Sequence, residues 1–343
     1  MNFDLDENQE LFRATVERFC GSAHIAARQA ARQQTGAIDR ARWRELADLG
    51  LVGLAAAEAD GGLSGSLLDC AIVARALGKG QAIEPWLECG FVPARLLAGS
   101  DHLADVLNGE RIAALAFAEP RRRYALEAVT MRASGGRLNG EKSFVPCGGA
   151  ADLFIVSANC DDQTRLFTVA RDQPGVEVRP YPVADGTMAA ILTLRDVPVG
   201  APLAADFGRV IDEARIMAAA EMTGLAQRLF DDTLAYVKTR EQFGQPLGRF
   251  QVIQHRLVDV YAKLEAMQSA VWRALLVPGS SAATVKAFVA EEAIWAAQQA
   301  VQLHGGMGMT DELGIGHGLK RILLLARLFG DPASGIAAAA QAA

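Results

Sequence analysis

The spacing of apolar residues changes character twice along the chain, and that change constrains the fold more than any other feature. Before about residue 110 the interval is helical: Phe12, Val16, Phe19 and Cys20 fall on one stripe, with Asp6 and Gln9 placed ahead of them for a capping box. Further helical stretches over 41–51 and 67–77 are parted by the turn-prone Asp60-Gly61-Gly62, and Pro85 and Pro93 interrupt the stretch beyond residue 77. From about Arg111 the texture becomes short apolar or alternating runs, at 112–117, 153–156, 165–169, 176–178 and 190–194, separated by Gly, Pro, Asn and Asp. After Val199-Gly200-Ala201-Pro202 helical spacing returns, with Leu229, Phe230, Leu234 and Val237 on one face and long runs over 250–277 and 283–304. The order helices, strands, helices predicts an α+β protein. Its alanine-rich end, 337–343, reads as a fraying tail.

A length of 343 residues exceeds what one core usually organises, so two or three subdomains are expected. With 51% hydrophobic and 22% charged residues the chain has ample apolar surface to fold compactly. Its net charge of −6 offers no field that would gather polyanions, so nucleic acid is not an expected partner. Five cysteines, odd in number and without C-x-x-C spacing, argue against a disulfide framework or a zinc site. His24, His102, His255, His304 and His317 show no i, i+4 pairing, and no metal is expected. The acidic start Met1-Asn2-Phe3-Asp4 and the absence of a long apolar run predict no membrane span and a cytoplasmic location.

The glycine clusters at 305–308 and 314–318 follow a helical run, not a strand, which excludes a Rossmann fingerprint; Gly305-Gly306 reads first as a left-handed helix cap. No P-loop and no G-x-S-x-G nucleophile elbow occurs, so those routes to phosphoryl and acyl transfer are set aside. One segment is far more specific. Arg240-Glu241-Gln242-Phe243-Gly244-Gln245-Pro246-Leu247-Gly248-Arg249-Phe250-Gln251 joins two long amphipathic runs, and Gln302-Leu303-His304-Gly305-Gly306 lies downstream.

These two segments closely resemble the acyl-CoA dehydrogenase flavoprotein family, whose helix-joining signature has the form R-x-Q-F-G-x-P-[LI]-x-x-F-Q and is followed by a glutamine and double-glycine segment. Asp60-Gly61-Gly62, Ala118-Glu119-Pro120, Gly140-Glu141-Lys142 and Ala151-Asp152-Leu153 extend the likeness more weakly over the rest of the chain. The resemblance implies an N-terminal helical domain (1–109), a small β-barrel-like middle domain (110–205) and a C-terminal four-helix bundle (206–343). It implies FAD, with Arg240, Gln242, Phe243, Gln302, Gly305 and Gly306 at the pyrophosphate and adenosine half of a flavin held mainly by a neighbouring subunit. Arg240 suits phosphate oxygens, Phe243 offers an aromatic face and Gly306 lets backbone approach. The plainer alternatives are a solvated helix-end cation for Arg240 and a core anchor for Phe243. The implied reaction is α,β-desaturation of an acyl-CoA thioester, with an electron-transfer flavoprotein or similar acceptor, in a homo-oligomer or a heterotetramer with a homologous subunit.

The chain departs from the family where the proton is abstracted. Both family positions for the base carry hydrocarbon here, Phe329 and Ala214, leaving Glu213, Glu221 and Asp331 as candidate bases reached only by a shift. Glu213 also reads as a helix-dipole acid and Glu221 as an ion-paired helix residue. The flavin loop carries Arg121-Arg122-Arg123-Tyr124 where small residues are usual, and those arginines read either as a contact for coenzyme A phosphates or as a solvated loop. Phe144-Val145-Pro146-Cys147 stands beside the expected isoalloxazine, and Pro146 has neither hydroxyl nor N–H to offer. Motifs that serve a neighbour's flavin are kept while those for this chain's own are altered, which predicts one subunit of a mixed assembly, catalytic with its partner or a non-catalytic completer of the partner's site.

Overall fold

The computed structural model describes residues 4–21, 38–120 and 129–342. The chain forms two compact units, neither contiguous in sequence: one gathers 1–29, 68–83 and 215–343, the other 30–67 and 84–214. The three-segment order expected from the spacing is present, although the first helical segment is divided between the two units.

In the mainly helical unit, α1 (Glu7–Gly21) opens with the expected capping box: Asp6 N–H donates to Gln9 Oε1 (3.1 Å) and Gln9 N–H to Asp6 Oδ1 (2.9 Å). The other unit holds α2 (Arg40–Asp48), whose N-cap Asp39 accepts from the backbone N–H of Ala41 and Arg42. α3 (Leu67–Lys79) contributes to the helical unit almost throughout. A π-helical turn over Trp86–Phe91 leads into the short helices α4 (Val92–Leu96) and α5 (Leu103–Leu107), with Trp86 Nε1–H donating to Leu51 O (2.7 Å). Pro93 therefore falls in the first turn of a helix, where its missing N–H costs nothing.

The strands are β1 (Ala113–Ala116), β2 (Arg132–Ser134), β3 (Arg137–Val145), β4 (Leu153–Cys160), β5 (Gln163–Ala170), β6 (Val176–Pro182) and β7 (Met188–Pro198), in one sheet ordered β1-β4-β2-β3-β7-β6 with β5 paired to β4. β4 runs parallel to β1 and β2, and the other pairings are antiparallel. Beyond β1, Ala118 bridges Phe144 of β3, so the pairings β1-β4-β2-β3 return on themselves in the barrel-like manner expected. Phe154, Val156, Phe167, Leu192, Leu194 and Val197 fill the interior. The two-residue β4–β5 turn places Asp161 and Asp162 at φ 52° and 61°, the left-handed pair that a tight hairpin needs and that Asp tolerates.

α6 (Phe207–Thr239) begins in the sheet-bearing unit and continues through the helical one. Within the latter it crosses α3 with the backbones in contact. A Cβ on Gly224 would stand 2.0 Å from Arg75 O, and one on Gly78 would stand 2.2 Å from Glu221 O, so only glycine permits the approach. A two-residue ladder, β8 (Glu241–Gln242) with β9 (Gln245–Pro246), then leads to α7 (Gln251–Leu276), α8 (Ala282–His304), α9 (Gly314–Arg327) and α10 (Pro332–Ala342). α8 packs on α7, α9 and α10. The alanine-rich end is thus helix where a fraying tail was expected, because Gly335 lets it lie against Ala283 and Ala287 of α8.

Candidate active site

The two motifs of the sequence signature meet at neighbouring helix ends. Tyr236, one turn before Arg240, stacks on His304 with ring centroids 4.3 Å apart and planes at 22°. His304 is buried and its Nδ1–H donates to Ala300 O (2.9 Å), so the stack ties the end of α6 to the Gln302–Gly306 corner. Arg240 leaves α6 exposed, with its carbonyl accepting from Leu247 N–H (2.8 Å). Gln242 pairs with Gln245, and Phe243 and Gly244 form the turn between them at φ 55° and 80°. Phe243 is 91% exposed, touching Phe250 only edge-on at 6.2 Å between centroids. A left-handed backbone for a bulky residue costs of order 1–2 kcal/mol, and here that strain holds an aromatic ring out in solvent. The core-anchor alternative for Phe243 does not describe this ring.

Gln302, Gly305 and Gly306 are exposed, and nothing lies within 4 Å of the place a Cβ would occupy on either glycine. Gly305 caps α8 with φ 61° and ψ −139°. The positive φ was expected, but the ψ takes it out of the left-handed helical cap into a region open mainly to glycine. One motif thus displays a cation and a ring, and the other an amide and two bare glycines, groups of the kind that suit the anionic, aromatic half of a dinucleotide.

The carboxylates weighed as bases are otherwise engaged. Glu213 is buried, and its oxygens accept from Arg95 Nε and Nη2 (2.9 and 3.0 Å) and from Arg209 Nε (2.9 Å). Glu221, also buried, accepts from Arg321 Nε (2.8 Å). Asp331 caps α10, accepting from Ser334 N–H (2.9 Å). At the two family positions for the base, Ala214 is 0% and Phe329 2% exposed. Phe329 has φ 60° and Gly330 φ 119°, and this turn is held by Arg215 Nε–H on Phe329 O (2.8 Å) and by Lys286 Nζ on Gly330 O (2.6 Å).

Sequence reasoning missed an ion pair inside the sheet-bearing unit. Lys142 of β3 is fully buried and donates to Glu119 (2.7 Å) and Ser157 Oγ (3.0 Å), while Glu119 also accepts from Thr130 and from Met131 N–H (3.0 Å). Burial lowers the Lys142 pKa to about 8 against the opposing pull of Glu119. Burial pushes Glu119 upward, but the hydrogen bonds from Lys142, Thr130 and Met131 together hold it below the ordinary carboxylate range. Once β3 is placed, its pleat puts Lys142 on the same inward register as Leu138. Pro146 and Cys147 follow β3 in a turn, Cys147 buried at φ 56°. The arginines at 121–123, weighed as a phosphate contact, lie outside the described residues. Among the described residues no cluster of metal-ligating side chains occurs, and no helix is long and apolar enough to cross a membrane.

Comparison with known proteins decides the family. Models of the acyl-CoA dehydrogenase N-terminal and C-terminal domains match residues 6–100 and 206–335. The chain belongs to the acyl-CoA dehydrogenase family. Among relatives, the acyl-CoA dehydrogenase IpdE2 of Mycolicibacterium smegmatis is 31% identical over 333 residues, covering 96% of each chain. A solved structure of the Tcur3481-Tcur3483 steroid ACAD variant is 29% identical with a TM-score of 0.89, covering 97% of this chain and 96% of that one. The ChsE4-ChsE5 complex from Mycobacterium tuberculosis is 25% identical with a TM-score of 0.87, covering 99% and 98%. The family's members are oxidoreductases acting on acyl-CoA, and their cofactor is FAD. The exposed corner of Arg240, Phe243, Gly305 and Gly306 fits the nucleotide end of that cofactor, since Cβ atoms there would fill the space that the glycines leave open.

Proposed function

We propose that this chain is one subunit of an FAD-dependent acyl-CoA dehydrogenase assembly in which it contributes the adenosine-side corner, while a homologous subunit contributes the carboxylate that abstracts the α-proton. The observation that carries this reading is a contrast: the nucleotide-side residues are displayed to solvent, whereas both family positions for the base are buried hydrocarbon, Ala214 and Phe329. When bound, FAD supplies the hydride acceptor for α,β-desaturation, and an electron-transfer flavoprotein or similar acceptor reoxidises it. Arg240 then grips phosphate oxygens, Phe243 offers its face to an aromatic ring, and Gln302 with the backbone at Gly305 and Gly306 lines the approach. Glu213 and Glu221 serve as ion-pair partners in this reading, because their lone pairs are committed to guanidinium donors. Pro146 supports the same division, since it has no N–H to give a flavin ring.

The visible spectrum tests it. The chain purified alone should be colourless and inactive, and yellow and active when co-expressed with a homologous acyl-CoA dehydrogenase subunit. In that assembly R240A should cut retained flavin on dialysis by about tenfold or more, the scale of a lost charge-assisted phosphate contact. Stoichiometric FAD with robust desaturation by the chain alone would refute the shared site.

A further inference from the structure

The helical unit contains a cavity of about 350 Å³ bordered by α1, α3, α6 and α7, and none of its lining belongs to the nucleotide corner. Its size lies in the range of small-molecule sites, roughly 300–1,000 Å³. One wall is apolar, with Ile72, Ala76, Val271 and Trp272. The other carries three cations, Arg13, Arg75 and Lys79, and three carboxylates, Asp4, Glu10 and Glu17. Arg13 is paired with Glu10, and Lys79 approaches Asp231 at 3.9 Å. Arg75 is different. It is half-buried, its Nε has no hydrogen-bond partner, and no carboxylate stands within ion-pair distance of it among the described residues. Burial, with a smaller contribution from Arg13, pulls its pKa below the ordinary arginine value despite the more distant charges of Glu265 and Asp231. Gln268, on α7, reaches the same cavity with its Oε1 buried and unpartnered, and half a turn of that amide would present two N–H donors instead.

Arg75 has only the more distant Glu265 and Asp231 to balance its charge, and an Nε–H buried without an acceptor is costly to keep in a fold, so the group calls for an occupant. The backbone contact at Gly224, which lies against Arg75 O, fixes this turn of α3 against α6 beside the cavity. The geometry points to a binding site for an amphipathic monocarboxylate of medium chain length: its carboxylate on Arg75 and the amide of Gln268, its hydrocarbon against Ile72, Val271 and Trp272. The planar fork of arginine matches a carboxylate bidentately, and the apolar wall accepts a chain that phosphate or sulfate lacks. A diacid would have to leave its second carboxylate against the apolar wall, so a monoanion is favoured. This inference stands apart from the flavin reading, because none of its residues takes part in that corner.

The test is isothermal titration of the full chain with sodium octanoate, in the presence and absence of saturating octanoyl-CoA. One saturable site is expected, unaffected by octanoyl-CoA, with 1-octanol and suberate each binding at least about tenfold more weakly. R75M should abolish that site and R75K should weaken it. Because R75M removes a half-buried charge whose Nε–H lacks an acceptor, its melting temperature without ligand should equal or exceed that of the parent, which also reports that it folds. A76L, which keeps Arg75 and fills the cavity, should weaken octanoate as well. No saturable binding, unchanged binding by R75M and A76L, or displacement by octanoyl-CoA would each overturn the assignment.

Discussion

Lys286 shows how a single side chain can make stability depend on pH. It is 2% exposed and gives its ammonium to two carbonyls, Gly330 O (2.6 Å) and Ala326 O (3.0 Å), fastening the turn that holds Phe329. Burial, then the charges of Arg215 and Arg327, lower its pKa to about 7, with Asp331 pulling the other way. In the unfolded chain the same group titrates near ~10.4. Between these values the unfolded state carries the extra proton, so this group's contribution to stability grows as pH rises from about 7 toward ~10. The neutral amine still has two hydrogens, enough for both carbonyls. K286M should therefore be less stable than the parent by ~1–3 kcal/mol for the unpaired carbonyls, and the gap should widen from about pH 7 to about pH 9. Urea midpoints of both proteins at the two pH values check it, and a gap independent of pH would contradict the depressed titration. Neither Lys286 nor Lys142 was legible as a buried cation from the spacing of apolar residues alone, because a lysine among apolar residues reads first as a solvated position. Only the acceptors brought by distant segments, Gly330 for one and Glu119 for the other, make burial tolerable.

Among the elements, the β8–β9 turn joins a structural cost to a site. Phe243 occupies a left-handed backbone that Asn adopts more readily, so F243N should leave the unfolding midpoint unchanged or raise stability by up to ~1 kcal/mol. If the ring is held out to meet a nucleotide, the same substitution should lower flavin retention in the co-expressed assembly. Thermal melts of the chain and flavin content of the assembly separate the two effects, and unchanged flavin content would leave the strained ring without this purpose. The hairpin itself is short enough that no periodicity announces it, and the motif alone drew attention there. Elsewhere, alternation found β1, β4, β5, β6 and β7. It did not find β2, which spans three residues, or β3, whose run of Asn139, Gly140, Glu141 and Lys142 hides its inward face behind polar side chains. β3 was legible only through its resemblance to a known family.

At the scale of the whole molecule, local spacing carries the order of helices and strands but not their grouping. It cannot show that 68–83 joins α6 in one unit while 84–107 joins the sheet-bearing unit, because that depends on Gly78 and Gly224 meeting across more than a hundred residues of chain. The candidate site divides in the same way. The proposed nucleotide corner rests on two compact motifs that a sequence displays directly, and Glu221 could be read as an ion-paired residue, but neither its partner Arg321 nor the Arg95 that holds Glu213 could be named, since both come from remote positions. If function is shared between subunits, restoring one missing group here should not restore activity. A214E returns a carboxylate to a family base position on α6, at a site with 0% exposure. Its burial should cost a few kcal/mol and raise the pKa of the new group, as a base requires. With circular dichroism confirming that it folds, A214E alone should still show no acyl-CoA desaturation with excess FAD and an artificial acceptor, because on the shared-site reading Pro146 still offers no donor to a flavin ring. The unaltered chain co-expressed with a homologous subunit should be active under the same assay. Turnover by A214E on its own would show that a base was all this chain lacked, and the shared site would have to be abandoned.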